Sequence, residues 1–299
     1  QKVEKKKIEK TKNNSTNPKL KKIVNTPKEE LSQKIEEEVG KTSAQHPEFI
    51  EMDQNSQKFW PQFDEASLRN FKYKYNITYM GVKAGELTLS LEDRNKKING
   101  ESVVKYNARI VSNSFYSYIY EVDDSLISYF SKESFLPIKF QMDQIESNFI
   151  SKELMLFDHD SKTSYFFYQK TTDKKEVKKK KKTINTPVLF QDPFSVLFFL
   201  KGIKWEKIGV KRLSVPIVNG KKILILKSHL DKKEKLSIEG EEIEALRIIA
   251  QTKYQGDTLK SGDMTFWFSN DGKKDLLKLK IKVKLGSILL EKVKELPNN

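Results

Sequence analysis

A chain of 299 residues, 37% hydrophobic and 32% charged, is long enough to bury a substantial core in one large domain or two smaller ones. It has no cysteine, which excludes disulfides, thiolate catalysis and cysteine-held zinc or iron–sulfur centres and leaves the redox compartment open. The formal net charge is +15, yet only five of the 56 basic residues are arginine, and a lysine-dominated excess argues against a specific nucleic-acid reader, which uses the bidentate arginine fork.

Residues 1–60 are dominated by Lys, Glu, Asn, Thr and Ser, with recurring prolines (Pro18, Pro27, Pro47). Such a segment buries too little surface to offset its ordering entropy, so it is predicted to be a disordered tail or tether. A transient amphipathic helix over Leu31–Val39 is the alternative. The chain opens on Gln1 rather than Met, the start that a removed signal peptide or membrane anchor leaves, and export is expected. No stretch approaches the ~20 apolar residues of a membrane-spanning helix.

Residues 61–299 are predicted to form a single β domain. Phe71, Tyr73, Tyr75, Ile77 and Tyr79 alternate with polar residues, the pattern of a half-buried strand. A turn at Met80–Gly85 leads to a strand starting at Leu87, Leu89 and Leu91. Asn99-Gly100 is a strong hairpin signal, followed by a strand over about 102–111. Phe115–Tyr120 fits either a helical turn or a strand. Further strands are expected around 125–130, 138–144, 153–157 and 164–169, then a charged connection from Lys170 to Thr183.

Asp192-Pro193-Phe194-Ser195-Val196-Leu197-Phe198-Phe199-Leu200 carries the one confident helix signal. Asp192 can cap the first turn, and Pro193 suits the first helical position. Every face of the segment after Pro193 is apolar, so a helix near 192–201 must be enclosed. Strand patterns resume at 212–218, 222–229, 235–238, 246–254, 264–269, 277–283 and 287–293, with turns at Asn219-Gly220 and Asn270-Asp271-Gly272. About a dozen strands must curl, split or close. The fold class is therefore mainly β: a strongly curved antiparallel sheet, half-barrel or open barrel, with one short buried helix.

Four segments resemble the bacterial envelope family known as domain of unknown function 3108: Tyr75–Gly85, Asp192–Leu200, Gly262–Asp271, and Gly286-Ser287-Ile288 with the apolar residues after it. The resemblance spans about residues 70–296. Lys201 stands where the family pattern has Arg, and Asp275-Leu276 replaces a Pro-containing strand start. The resemblance implies a curved β-sheet and export to the periplasm or cell envelope of a Gram-negative bacterium. It supplies no catalytic residues.

Chemistry-bearing candidates are sparse. The histidines are His46, His159 and His229, none beside a Gly-x-Ser-x-Gly elbow. Asp158-His159-Asp160 reads as an Asp-rich turn rather than a metal site. Asp123 and Asp124 are adjacent on a strand and point to opposite faces, which disfavours a carboxylate pair. No phosphate-binding glycine loop occurs. No metal or other cofactor is expected.

Two candidate surfaces remain. Phe194, Leu197, Phe198, Tyr118 and Trp267, gathered in one concavity, would suit an acyl chain, with plain core packing as the alternative. Lys178, Lys179, Lys180, Lys181 and Lys182 would meet anionic lipid or a lipopolysaccharide-like polymer, against the alternative of a solvated hairpin end. The sequence thus favours a non-enzymatic cell-envelope protein binding a lipophilic or anionic-lipid ligand in the sheet's concavity, with peripheral membrane contact. A scaffolding module docking an envelope protein through a sheet edge is the alternative, and an unrecognised hydrolase the third reading.

Overall fold

A computed structural model describes residues 46–98, 100–208, 212–254 and 257–295. Residues 1–45 of the expected 1–60 tail, which include the Leu31–Val39 helix, and Asn99 lie outside the described residues.

Period-2 alternation builds most of the molecule. Fourteen strands form among the described residues: β1 (Phe71–Tyr79), β2 (Val82–Ile98), β3 (Glu101–Ser112), β4 (Asp123–Ser131), β5 (Pro137–Glu146), β6 (Phe149–Asp158), β7 (Thr163–Thr172) and β8 (Val177–Asn185) come first. After a helical insertion follow β9 (Leu213–Asn219), β10 (Lys222–Ile238), β11 (Glu241–Tyr254), β12 (Asp257–Ser269), β13 (Leu276–Lys282) and β14 (Ser287–Glu295). All belong to one antiparallel sheet ordered 8-7-6-5-4-3-2-1-14-13-12-11-10-9. The first strand therefore pairs with the last, with Ile77 opposite Leu290. The two sheet edges, β8 and β9, flank the insertion in sequence.

The sheet is mainly β and curved, as the sequence predicts, and it does not close. β8 pairs with β7 but not with β9. The β9–β10 turn reaches over the opening, where the Gly220 amide lies 3.1 Å from the Met155 sulfur on β6 and the Phe166 ring of β7 packs beneath it. Gln191 covers the outer edge of β9: its amide donates to the Pro216 carbonyl and its carbonyl accepts from Val218, both at 2.9 Å. Covering an edge in this way blocks the addition of a foreign strand.

Helices α1 (Ile50–Gln57), α2 (Ser114–Ser117), α3 (Ser195–Gly202) and α4 (Trp205–Ile208) decorate the sheet. α2 settles the ambiguous Phe115–Tyr120 segment as a helical turn, capped by the Asn113 side chain, which accepts from the Tyr116 amide at 2.8 Å. The stretch expected to connect strands at Lys170–Thr183 is instead a tight hairpin that turns after Thr172, and its lysines form the edge strand β8. Lysine has little intrinsic preference for strands, but a two-sided solvated edge accepts it and the ladder to β7 fixes its register.

Order also begins earlier than the expected boundary at residue 61. Phe49, Asp53 and Ser56 are buried, and an Asp53 carboxylate oxygen accepts the Val188 and Leu189 amides at 2.8 and 3.2 Å. The surrounding sequence is polar, so hydrophobic periodicity gives no sign of this docking. Replacing Asp53 with Ala leaves two inward-facing amides without that acceptor. We expect a loss of roughly 1–3 kcal/mol in urea unfolding, and an unchanged midpoint would show that α1 contributes nothing to the domain.

Candidate functional site

The α3 segment fills the concave side of the sheet. The helix begins at Ser195, two residues after Pro193, because Asp192 folds the entry into a side-chain-capped turn. Its Oδ1 accepts the Phe194 and Ser195 amides, each at 2.7 Å, while Ser195 Oγ accepts the Asp192 amide at 2.9 Å. Oδ2 accepts from Ser128 Oγ of β4 at 2.5 Å, which ties the helix start to the sheet. Burial pushes the Asp192 carboxyl up to about 6, against the pull of these donors.

Aromatic rings complete the filling. Phe194 stacks on Tyr106 with centroids 4.2 Å apart, and Phe198 lies 4.8 Å from Phe130 and 5.7 Å from Phe63. Gly202 permits the closest approach, since a Cβ there would meet the Phe63 ring at 2.2 Å. The space left among Tyr73, Tyr75, Tyr106, Leu197 and Phe268 is about 10 Å³, room for one water at most and not for an acyl chain.

At the far end of α3, Lys201 is 4% exposed. Its Nζ donates to the Lys273 carbonyl at 3.0 Å and the Ser67 carbonyl at 3.5 Å, and lies 5.2 Å from the Phe71 ring centre. Desolvation lowers its pKa to about 8. Asp275 meanwhile binds Arg69 at 2.7 Å and Lys292 at 3.1 Å. Lys201 and Asp275, the departures from the family pattern, thus have local partners of their own. Backbone carbonyls hold the lysine, and two cations hold the aspartate.

The five aromatic and aliphatic candidates do not converge. Phe194, Leu197 and Phe198 share the concave interior, but Tyr118 is 93% exposed on the β3–β4 connection. Trp267 points to the outer face, because its strand neighbours Phe266 and Phe268 take the inward positions. There its indole donates to Glu234 at 2.7 Å, with Lys278 over the ring. The Lys178–Lys182 run is exposed along β8, with Lys180 over Tyr168 and Lys181 over Phe167.

The His and Asp candidates have local partners. His159 is largely buried, its Nε2 2.8 Å from the Pro137 carbonyl oxygen and its ring stacked on Phe190, and burial lowers its pKa. Asp158 caps its own turn by accepting the Asp160 and Ser161 amides. Asp123 pairs with Arg109, whereas Asp124 accepts the Ile145 amide, so the adjacent carboxylates do part. Among the described residues, no group of three or more His, Asp or Glu side chains is placed to hold a metal. No described helix is long and apolar enough to cross a membrane, which says nothing about crossing by strands.

The feature that sequence reasoning missed is a rim. In a meander, alternate turns lie at the same end of the sheet. At the end toward which β1 runs, the turns are linked one to the next. Tyr79 Oη donates to the Leu285 carbonyl at 2.9 Å, and the Asn113 side chain donates to the Lys83 carbonyl at 2.6 Å. The Glu121 amide donates to Ser147 Oγ at 2.6 Å, and the Asp173 amide to the Asn148 carbonyl at 3.1 Å.

Among the described residues, every exposed large hydrophobic except Ile50 lies at this end. The β1–β2 turn offers Met80 and Val82, and the β3–β4 connection offers Phe115, Tyr118 and Ile119. Ile145 and Ile150 flank the β5–β6 turn, and Leu285 tops the β13–β14 turn. Lys83, Lys174, Lys175 and Lys284 stand among them, Lys83 pairing with Glu86 at 3.0 Å, together with Glu121, Glu146, Asp173 and Glu176, and the lysines of β8 start beside Val177. Apolar residues in turn positions were the available signal, since turns are ordinarily polar.

A curved, unclosed antiparallel sheet plugged by its own helix defines a β-barrel-like protein. A crystal structure described as a β-barrel-like protein of domain of unknown function DUF1849 from Brucella abortus matches with a TM-score of 0.52 at 9% identity. The match covers 76% of this chain and 97% of that one, and at such low identity it establishes the fold alone. The chain belongs to the family described as protein of unknown function (DUF3108), whose model matches residues 74–293. A search of curated proteins returned no match.

Proposed function

We propose that this is a non-enzymatic cell-envelope protein that docks peripherally on an anionic lipid surface through its apolar rim. The carrying observation is the segregation of exposed large hydrophobics to one end of the sheet. They stand on successive turns as separate projections interspersed with lysine, not as one flat patch. A bilayer interface accepts such projections individually, each adding buried apolar area, while the lysines add attraction to anionic headgroups. This reading moves the lipid contact from the concavity, which its helix fills, to the rim and the β8 lysines. Docking of a protein strand on the β8 edge is the weaker alternative, because consecutive lysines discourage strand addition.

The test is co-sedimentation with vesicles of phosphatidylglycerol or of phosphatidylcholine alone. The protein should bind the anionic vesicles more tightly, and added salt should weaken that binding. Burying one such side chain fully is worth roughly 1.5–3 kcal/mol, so replacing Met80, Phe115, Tyr118 and Ile119 together with Ser should cost at least about tenfold in affinity. All four are exposed, so the melting temperature should hold. Replacing Lys178–Lys182 with Ser should chiefly remove the salt-sensitive part. No binding of the unaltered protein to anionic vesicles would end the proposal.

A further inference from the structure

A second feature lies at the seam where the sheet fails to close. β8 from Lys182 to Asn185 faces the start of β10 across a shallow, open surface groove of about 420 Å³. Phe49, Ile184, Ile223 and Tyr254 supply its apolar surface, and Lys182, Lys221 and Lys222 supply its cationic edge. Glu48 is the one acidic residue lining it. Lys222 Nζ sits 4.4 Å from the centre of the Tyr254 ring, so a cation is already held against the apolar wall.

A closed barrel would zip this seam with backbone hydrogen bonds. Here β8 pairs only with β7 and Gln191 covers β9, so the groove is bounded by side chains. An apolar wall with a three-lysine edge suits one class of small molecule better than others. A neutral lipid would leave the lysines unused, and a free inorganic anion would leave the apolar wall wet.

We propose that the seam groove binds a single anionic amphiphile, an acyl or alkyl chain with a phosphate or carboxylate head. The chain lies on Ile184, Ile223 and Tyr254, and the head meets Lys182, Lys221 and Lys222. This site shares only Lys182 with the proposed membrane contact, lies apart from the apolar rim, and stands whether or not the rim docks on a membrane.

Calorimetric titration of the full chain with dodecyl phosphate, kept below its micellar concentration, tests the assignment. Saturable one-to-one binding is expected, at least tenfold tighter than for inorganic phosphate and for dodecyltrimethylammonium. Replacing Lys182, Lys221 and Lys222 with Ser should weaken dodecyl phosphate binding at least tenfold at an unchanged melting temperature, since all three are exposed. The rim variant should bind dodecyl phosphate as the parent does, so failure of the rim reading and of this one are separable. Absent binding, equal binding of inorganic phosphate or of the cationic detergent, or full binding by the triple-Ser variant would each overturn the proposal. So would tighter binding of an oligoglutamate peptide, which would mark the groove as an acidic-peptide site.

Discussion

Replacing Phe198 with Asp should abolish cooperative unfolding of the domain or bring its midpoint close to zero denaturant. The ring is 2% exposed and contacts Phe63, Tyr106 and Phe130, which come from three different parts of the sheet and its N-terminal approach. Losing a buried phenyl group alone costs about 3–5 kcal/mol, and an uncompensated charge in that place adds to it. Against a typical domain stability of ~5–15 kcal/mol, little would remain. Phe198→Leu, which keeps the site apolar, should lose far less. A Phe198→Asp protein with the parental urea midpoint would mean that α3 does not plug the sheet.

The second large effect is a dependence on pH that runs against the usual acid sensitivity. In the folded protein the Asp192 carboxyl keeps its proton up to about pH 6, whereas in the unfolded chain it releases it near its ordinary value of 3.8. Between those values the native state binds more protons, so stability falls as pH rises from about 4 to about 6 and levels off above. At ~1.4 kcal/mol per unit of pKa difference, the full change is on the order of 3 kcal/mol. Glu153, raised to about 6 by burial, adds a slope of the same sign.

Asp192→Asn keeps an oxygen for the Phe194 and Ser195 amides and carries no charge. It should flatten most of that slope and be at least as stable as the parent at pH 7. Urea midpoints at pH 4, 5, 6 and 7 decide the matter. An unchanged slope in the Asn variant would place the titration elsewhere.

Much of the architecture was legible in the chain because it rests on local patterns. Phe71 to Tyr79 alternate without interruption, the Asn219-Gly220 signal forms its turn, and the all-round apolar Val196–Leu200 run gives away an enclosed helix. The parts that were not legible depend on partners distant in sequence. α1 docks through one aspartate that meets amides about 135 positions later. β8 is a strand because β7 lies beside it, not because lysines prefer that state.

The site was harder to read for a related reason. Tyr118 and Trp267 are aromatic like Phe198, and composition alone groups them. Strand parity sends Trp267 outward, and a four-residue helical turn lifts Tyr118 to the rim. Hydrophobicity says that a side chain wants cover, and topology decides whether its own chain provides it.

The pairing of β1 with β14 has a consequence for how the molecule is made. Tyr75 lies opposite Lys292 and Tyr79 opposite Ile288, so contacts more than 200 residues apart hold the middle of the sheet together. Such distant pairings form slowly, and until they form they leave strand edges open to wrong partners. During synthesis, β1 to β8 can grow outward as local hairpins, but β1 keeps a bare edge until β14 arrives more than 200 residues later. The joining of β1–β8 to β9–β13 therefore waits on β14, and loss of that strand would open the sheet at its centre, not fray it at its margin.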